Sequence, residues 1–438
     1  MATRRWPRNC VCIQPGAEQG KPRANPTAMV LYRADWVVPV SGPPIRDGWL
    51  SIDRGRIASV GRRPAVPAVS VDHAPAPERD LGRVAVLPGL VNAHTHLELS
   101  YLRDVVPPAS NFVQWARHIM GARRGHPDPW SPAIIAAVEQ AIEESKDAGT
   151  ALVGDISNTL VTPSPLAAGG LGGVVFYELL RFRNEDADAF VEQAWRRIDS
   201  LPEHPGVRVS LAAHAPYSVG PLVFRAITRQ LDRRPFLPCS VHLSESAEEV
   251  DFVLTGQGPW RQVLEELGSW DESWRAPGVS PVRYLEDNGF LARRPLVVHG
   301  VQMSQDDLGR LARHRATLVT CPRSNGHTGA GAPPISDFYA SGVRVAIGTD
   351  SLASAPDLSV FAELATLRAL TPDVAAATLI ESATLEGARA LGFESEYGSI
   401  EPGKRARLVA VSIPEGTSDV EEYLVSGVTP DQVSWIED

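Results

Sequence analysis

The hydrophobic and polar positions change rhythm as the chain advances. Between residues 30 and 60 they alternate in short runs typical of β-structure. Leu31–Val40 reads as one strand. Trp49–Ile52 and Ile57–Val60 flank Asp53-Arg54-Gly55, a hairpin signal. A Pro/Ala-rich loop over 64–79 precedes the strand-like run Val84–Leu87. Beyond residue 87, short apolar runs alternate with amphipathic segments. The clearest helix covers 131–148: Ser131 caps it, Pro132 takes the first helical position and Gly149 stops it. Ile134, Val138 and Ile142 form its apolar stripe. Further strands are expected at 150–154, 172–179, 207–213, 238–242, 296–299, 317–321 and 343–348. With the run ending at His94 they make eight, and eight strands alternating with helices predict an α/β fold, a (β/α)8 barrel. Helices are expected at 358–370 and 372–390, the second capped by Thr371 with Pro372 behind it. The stretch 399–413 turns strand-like again. It is expected to join the N-terminal strands in a small β-sandwich built from both chain ends, 29–86 plus 398–438, beside a barrel spanning 87–397.

Composition narrows the field. The chain has 438 residues, 43% hydrophobic and 21% charged, enough for one barrel-sized domain and a satellite. A net charge of −10 argues against a nucleic-acid-binding surface. No apolar run reaches the roughly 18 residues of a membrane span. Residues 1–28 carry Arg and Pro and lack the apolar stretch of a signal peptide, so they read as a disordered tail with Met29 the expected start. Of four cysteines, Cys10 and Cys12 lie in that tail, and Cys239 and Cys321 follow or sit in apolar runs. That is no disulfide framework, and it points to a reducing, cytoplasmic setting. A homodimer stays open as a partner state.

The chemistry lies at the strand ends. A barrel gathers its working residues at the C-terminal ends of its strands. His94 and His96 follow the first run, and residues two apart on an extended segment point the same way. The fourth run ends at His214, the fifth at His242 with Glu245 three residues on, the sixth at His299 and the eighth at Asp350. A lone H-x-H is more often incidental than metal-binding, and a lone strand-end Asp is as readily a helix cap. Five of eleven histidines in barrel register are harder to dismiss. His94, His96, His242 and Asp350 supply the donors that one zinc ion uses, and iron accepts the same set. Bound zinc brings the pKa of a water towards about 7. Glu245 lies close enough in sequence to carry a proton between that water and a substrate nitrogen, and His299 can orient the water.

Other features read as structure. Gly169–Gly173 precedes a strand, so it is a turn and not a phosphate loop. His118, His126, His204, His314 and His327 fall in helices or polar loops. Trp260, Trp270 and Trp274 suit either a lid or packing on the barrel rim. The pairs Glu143/Glu144 and Glu248/Glu249 read as solvated helix faces.

The motifs PGLVNAHTH (88–96), HAPYS (214–218), HLSE (242–245), VVHG (297–300), CPRSN (321–325) and GTDS (348–351) resemble the amidohydrolase superfamily. The resemblance runs from about residue 30 over nearly the whole chain. Because the fourth strand ends in His214 where the two-metal branches carry a carboxylated lysine, it is to the single-metal branch. The H-x-x-E pair is similar to that of cytosine, guanine and adenosylhomocysteine deaminases. HTHLELS, GPPIRDG (42–48) and the segment 256–285 look most like bacterial aminofutalosine deaminases of the menaquinone pathway. The resemblance implies hydrolytic deamination of an adenine-type nucleoside through hydroxide on the metal. Glu245 then protonates the ring nitrogen, and Asp350 and His299 handle the water proton. Other substrates of the group are the alternatives: adenosylhomocysteine, methylthioadenosine, guanine, cytosine or a chloro-triazine. An inactive scaffold is the alternative from another class. The resemblance also implies a sugar contact for His214. Glu98, Trp115, Glu178 and Arg181 are further substrate candidates, Arg181 as a fork for a carboxylate.

Overall fold

The computed structural model describes residues 29–62 and 77–436. The expected tail over 1–28, with Cys10 and Cys12, and most of the 64–79 loop lie outside the described residues. Among the described residues five strands come first: β1 (Val30–Val37), β2 (Ile45–Asp53), β3 (Arg56–Arg62), β4 (Glu78–Asp80) and β5 (Val84–Pro88). Eight follow in the barrel: β6 (Leu90–Thr95), β7 (Thr150–Ser157), β8 (Gly172–Leu179), β9 (Val207–Ala213), β10 (Ser240–Leu243), β11 (Leu296–His299), β12 (Thr317–Thr320) and β13 (Arg344–Ile347). β14 (Leu408–Ser412) and β15 (Val433–Trp435) close the chain.

The two chain ends meet in one seven-stranded sheet of order β15-β14-β5-β1-β2-β3, with β4 beside β1. β14 pairs antiparallel with β5, Leu408 opposite Pro88, so the C-terminal strand sits against the residues that lead into the barrel. The hairpin at Asp53-Arg54-Gly55 forms as expected: Arg54 and Gly55 both adopt positive φ, the geometry of a tight two-residue connection.

β6 to β13 form an eight-stranded parallel sheet in chain order, with helices in the crossovers. Period-two alternation splits its apolar side chains. Val91, Leu152, Val174, Phe176, Val298 and Val319 pack among the strands themselves, stoppered by Ala388 and Leu391. Val153, Val175, Val297, Leu318 and Val345 join the larger core shared with the helices.

The seam between the last strand and the first closes the barrel without a regular ladder. Thr349 and Asp350 donate their backbone N–H groups to the His94 carbonyl at 3.0 and 3.1 Å, and His96 N–H reaches the Asp350 carbonyl at 3.3 Å. Asn92 and Thr349 bond reciprocally, at 2.7 and 3.1 Å, and Thr95 Oγ1 donates to the Asp350 carbonyl at 2.8 Å.

Two expectations fail at the C-terminal end. The helix expected over 372–390 is two short helices, Ala376–Ser382 and Leu385–Ala390. Thr371 ends the preceding helix, Val360–Leu370, and caps nothing after it, because Pro372 starts a turn. The break falls at Thr384, which leaves helical geometry and turns its hydroxyl back onto the Ile380 carbonyl. In 399–413 only Leu408–Ser412 is a strand: Pro402-Gly403 makes a turn, with Gly403 at φ 92°.

Gly348 is the tightest point of the closing seam. A Cβ there would lie 2.7 Å from His94 Cβ and 2.8 Å from the His94 carbonyl. Gly348→Ala is expected to lower stability by about 1–3 kcal/mol and to weaken metal binding. Thermal melting and metal content of the purified variant check both.

Candidate active site

The strand ends converge as the spacing predicts. The metal-binding atoms of His94, His96 and His242 lie within 4.8 Å of one another, at the C-terminal ends of β6 and β10. Asp350, three residues past β13, completes the ring: its Oδ1 is 3.4 Å from His96 Nε2 and 3.7 Å from His94 Nε2. Its other oxygen is taken, since Ser324 and Ser354 donate hydroxyls to Oδ2 at 2.5 and 3.0 Å. Those serines leave Oδ1 aimed at the imidazoles.

The donors fit a divalent ion. Both ring nitrogens of His94 are buried with no hydrogen-bond partner, a cost of about 1–3 kcal/mol that coordination relieves. Burial pulls His94 to about 4 and His96 to about 3, keeping both rings in the neutral, ligating form. Burial alone would raise the Asp350 carboxyl, but the facing His94 and His96 rings hold it well below the usual carboxylate range. His242 Nδ1 faces the His214 carbonyl at 3.1 Å and Glu178 Oε1 at 3.3 Å. With the Nδ1 proton held there, Nε2 is the atom left to coordinate. Burial disfavours the His242 charge, yet Glu178 beside it lifts the ring to about 9, so a metal ion would displace a proton.

Glu245 and His299 face the same space, with Glu245 Oε1 3.4 Å from His299 Nε2. Burial pushes the Glu245 carboxyl well above its ordinary range and draws His299 down to about 3. Asn325 Oδ1 fixes His299 through Nδ1 at 2.9 Å. His299, Ser244 and Asp350 all sit at positive φ, between 52° and 76°. Each costs about 1–3 kcal/mol in a residue with a side chain and persists only where its surroundings hold it. At Ser244 the holder is Glu249, whose Oε1 accepts the Ser244 N–H at 2.7 Å and whose Oε2 accepts the Glu245 N–H at 3.0 Å. Glu249, expected on a solvated helix face, is completely buried. Its helix, Ala247–Thr255, starts directly under the loop that carries Glu245.

A cavity of about 200 Å³ opens over this cluster. Trp115, Glu178 and His214 line it, as do His96, His242, Glu245, His299 and Asp350. His214 is oriented by Ser218 Oγ on Nδ1 at 2.5 Å. Two of the expected substrate contacts do not line it. Glu98 has both oxygens filled from the chain itself, by Ser157, Asn158, Thr159 and Arg123, and so ties the loop after β7. Arg181 donates to the Glu185 carbonyl at 2.6 Å and lies over the Phe190 ring, outside the cavity. The lining guanidinium is Arg123, on the helix Phe112–Arg124, bonded to Asn158 Oδ1 at 2.9 Å. Asn158 in turn donates to Glu178 Oε2 at 2.7 Å. Of the three tryptophans after β10, Trp260 lines the cavity, while Trp270 and Trp274 pack on Phe182 and Phe252. His327 bonds the Val106 carbonyl and stays out of the cavity.

A parallel barrel with three convergent imidazoles, an ionised aspartate and a buried glutamic acid over one cavity defines a metal-dependent hydrolase. Residues 85–430 match the amidohydrolase family, and the chain belongs to it. It is 33% identical over 342 residues to an aminodeoxyfutalosine deaminase of Deinococcus radiodurans, covering 74% of this chain and 77% of that one. It is 31% identical over 385 residues to a 5-methylthioadenosine/S-adenosylhomocysteine deaminase of Nitratidesulfovibrio vulgaris, covering 84% and 80%. Among solved structures, a zinc-bound adenosine deaminase from Xanthomonas campestris superposes with a TM-score of 0.75 at 28% identity, covering 92% of this chain and 90% of that one. Among the described residues no helix is long and apolar enough to cross a membrane.

Glu249→Ala removes the acceptor for two buried N–H groups beside Glu245. Steady-state kinetics are expected to show kcat reduced about tenfold or more, with KM and zinc content little changed, because each unpaired group costs about 1–3 kcal/mol. His94→Ala is expected to lose stoichiometric metal, read by elemental analysis.

Proposed function

We propose that this protein is a zinc-dependent deaminase of an adenine-type nucleoside, with aminodeoxyfutalosine as its substrate and a place in menaquinone synthesis. The single observation that carries the deaminase reading is the buried Glu245 carboxyl beside the His299 imidazole. A hydrolysis that expels an amino group from a ring needs a group that moves a proton to a ring nitrogen, and Glu245 lines the cavity beside the metal-site residues with burial raising its proton affinity. The sequence similarity to the Deinococcus enzyme supports the choice of substrate. The similarity to methylthioadenosine/adenosylhomocysteine deaminases supports those nucleosides as the second reading. The two buried free thiols, Cys239 and Cys321, suit a cytoplasmic setting.

His94, His96, His242 and Asp350 would hold the zinc ion, which activates water at neutral pH when bound. The residues divide the remaining work. His299, locked by Asn325, orients the attacking water. Glu245 carries one water proton to the ring nitrogen beside the amino-bearing carbon. Asp350 takes the second proton from the added oxygen and passes it to the amino group. The C–N bond then breaks, ammonia leaves neutral, and the ring keeps a carbonyl where the amino group stood. His214, which lines the cavity, is the group assigned to the ribose, with Glu178 as a further substrate contact.

Zinc-loaded protein is expected to release ammonia from aminodeoxyfutalosine faster than from methylthioadenosine, adenosylhomocysteine, guanine or cytosine. Robust turnover of adenosylhomocysteine with none of aminodeoxyfutalosine would overturn the substrate. Glu245→Gln is expected to keep one metal per chain and lose about 10²–10⁴-fold in kcat. Loss of metal in that variant would make Glu245 a ligand and contradict the proton-carrying role.

A further inference from the structure

One short helix, Pro322–Thr328 after β12, carries two of the supports on which the site depends. Its Ser324 donates to Oδ2 of Asp350, and its Asn325 holds Nδ1 of His299. The two groups assigned to the water and its protons therefore take their aim from seven residues. A helix so short is not stable by its own hydrogen bonds. Its placement must come from what grips it from outside.

Two side chains tie it to opposite sides of the barrel's closing seam. His327 bonds the Val106 carbonyl at 3.1 Å, and Ala109 N–H returns to the His327 carbonyl at 3.1 Å. Both partners belong to the first crossover, between β6 and the helix Phe112–Arg124. Arg323 reaches the last crossover, beyond β13. Its guanidinium forks onto Asp357 at 2.8 and 2.9 Å, and its Nη1 stands 3.7 Å from Glu363 Oε1. Its backbone N–H donates to Glu363 Oε2 at 3.4 Å.

Glu363, on the helix Val360–Leu370, is completely buried. Its Oε1 has no hydrogen-bond partner among the described residues. A carboxyl buried in that state is costly, and no proton step assigned to the cavity uses it. Burial lifts it to about 8, and the Arg323 charge is the foremost influence opposing that rise. Arg323 is thus held by a half-buried and a fully buried carboxyl at once.

We propose that Arg323 is a positioning residue: pinned by Asp357 and Glu363, it fixes the orientation of the helix Pro322–Thr328 and thereby aims Asp350 and His299. This rests on the roles assigned to those two residues. The pin is a planar fork on a carboxylate, so its charge alone does not replace it. Lysine supplies a point charge on a flexible stem.

The test compares Arg323→Met, Arg323→Lys and Arg323→Met/Glu363→Gln with the parent protein, each loaded with one zinc or one cobalt. Ammonia release from aminodeoxyfutalosine and from adenosine gives kcat and KM. The visible absorption of the cobalt form reads the donor geometry, and thermal melting reads stability. Arg323→Met is expected to lose about 10–100-fold in kcat, with KM and metal content little changed and the cobalt spectrum altered. Arg323→Lys is expected to fall between that variant and the parent in both readouts. Adding Glu363→Gln to Arg323→Met is expected to cost little more, since the two side chains act as one unit. A lowered melting temperature with the parent's kcat and spectrum would make Arg323 a structural tie and overturn the proposal. So would a loss of kcat with the spectrum unchanged. If Arg323→Met does not fold, Arg323→Lys decides by the same two readouts. A parent protein that releases no ammonia, with the spectral change present in the variant, would overturn the deaminase reading and uphold the pin; without that change both fall.

Discussion

The barrel's closing seam is the constraint on which the site depends. β13 and β6 meet through a handful of hydrogen bonds centred on His94, Thr349 and Asp350, in place of a regular ladder. Those bonds unite the two ends of a sheet that are about 250 residues apart in sequence, and they are also what puts the Asp350 carboxylate opposite His94 and His96. Closing the fold and assembling the donor set are thus one event. Gly348 fits there because the His94 backbone leaves no room for a Cβ.

Around that seam the polar groups are arranged so that each working atom has one direction left. Ser324 and Ser354 occupy one oxygen of Asp350; Asn325 occupies one nitrogen of His299; the His214 carbonyl and Glu178 occupy one nitrogen of His242. Three positive-φ residues in the same neighbourhood store backbone strain, and Glu249 holds one of them, Ser244, by one oxygen and the following Glu245 N–H by the other. A buried carboxylate serving two backbone N–H groups stiffens the loop that delivers Glu245.

The strand-end histidines and Asp350 were legible because a barrel converts sequence order into position: the residue after each apolar run faces one cavity. The eight strands followed from the same alternation. What escaped were side chains whose role is set by tertiary contact. Glu249 sits beside half-buried Glu248 and has the same residue type, and only the fold buries one completely and not the other. Glu98 and Arg181 looked like substrate groups by proximity to strand ends, yet neighbouring loops consume their hydrogen-bonding capacity. Arg123 lies on an amphipathic helix whose periodicity gives no hint that its last turn borders the cavity. Thr371 carried a good capping signal, but Pro372 turned the chain instead of starting a helix.

The account stands on one ion held by three imidazoles and one carboxylate across the seam. X-ray absorption on zinc-loaded protein measures that most directly. It is expected to give one zinc per chain, with nitrogen and oxygen donors at about 2.0–2.2 Å, three of them imidazole, and no metal neighbour. A sulfur donor at about 2.3 Å, as from Cys321 behind Gly348, or a second zinc bridged through His242, would contradict it.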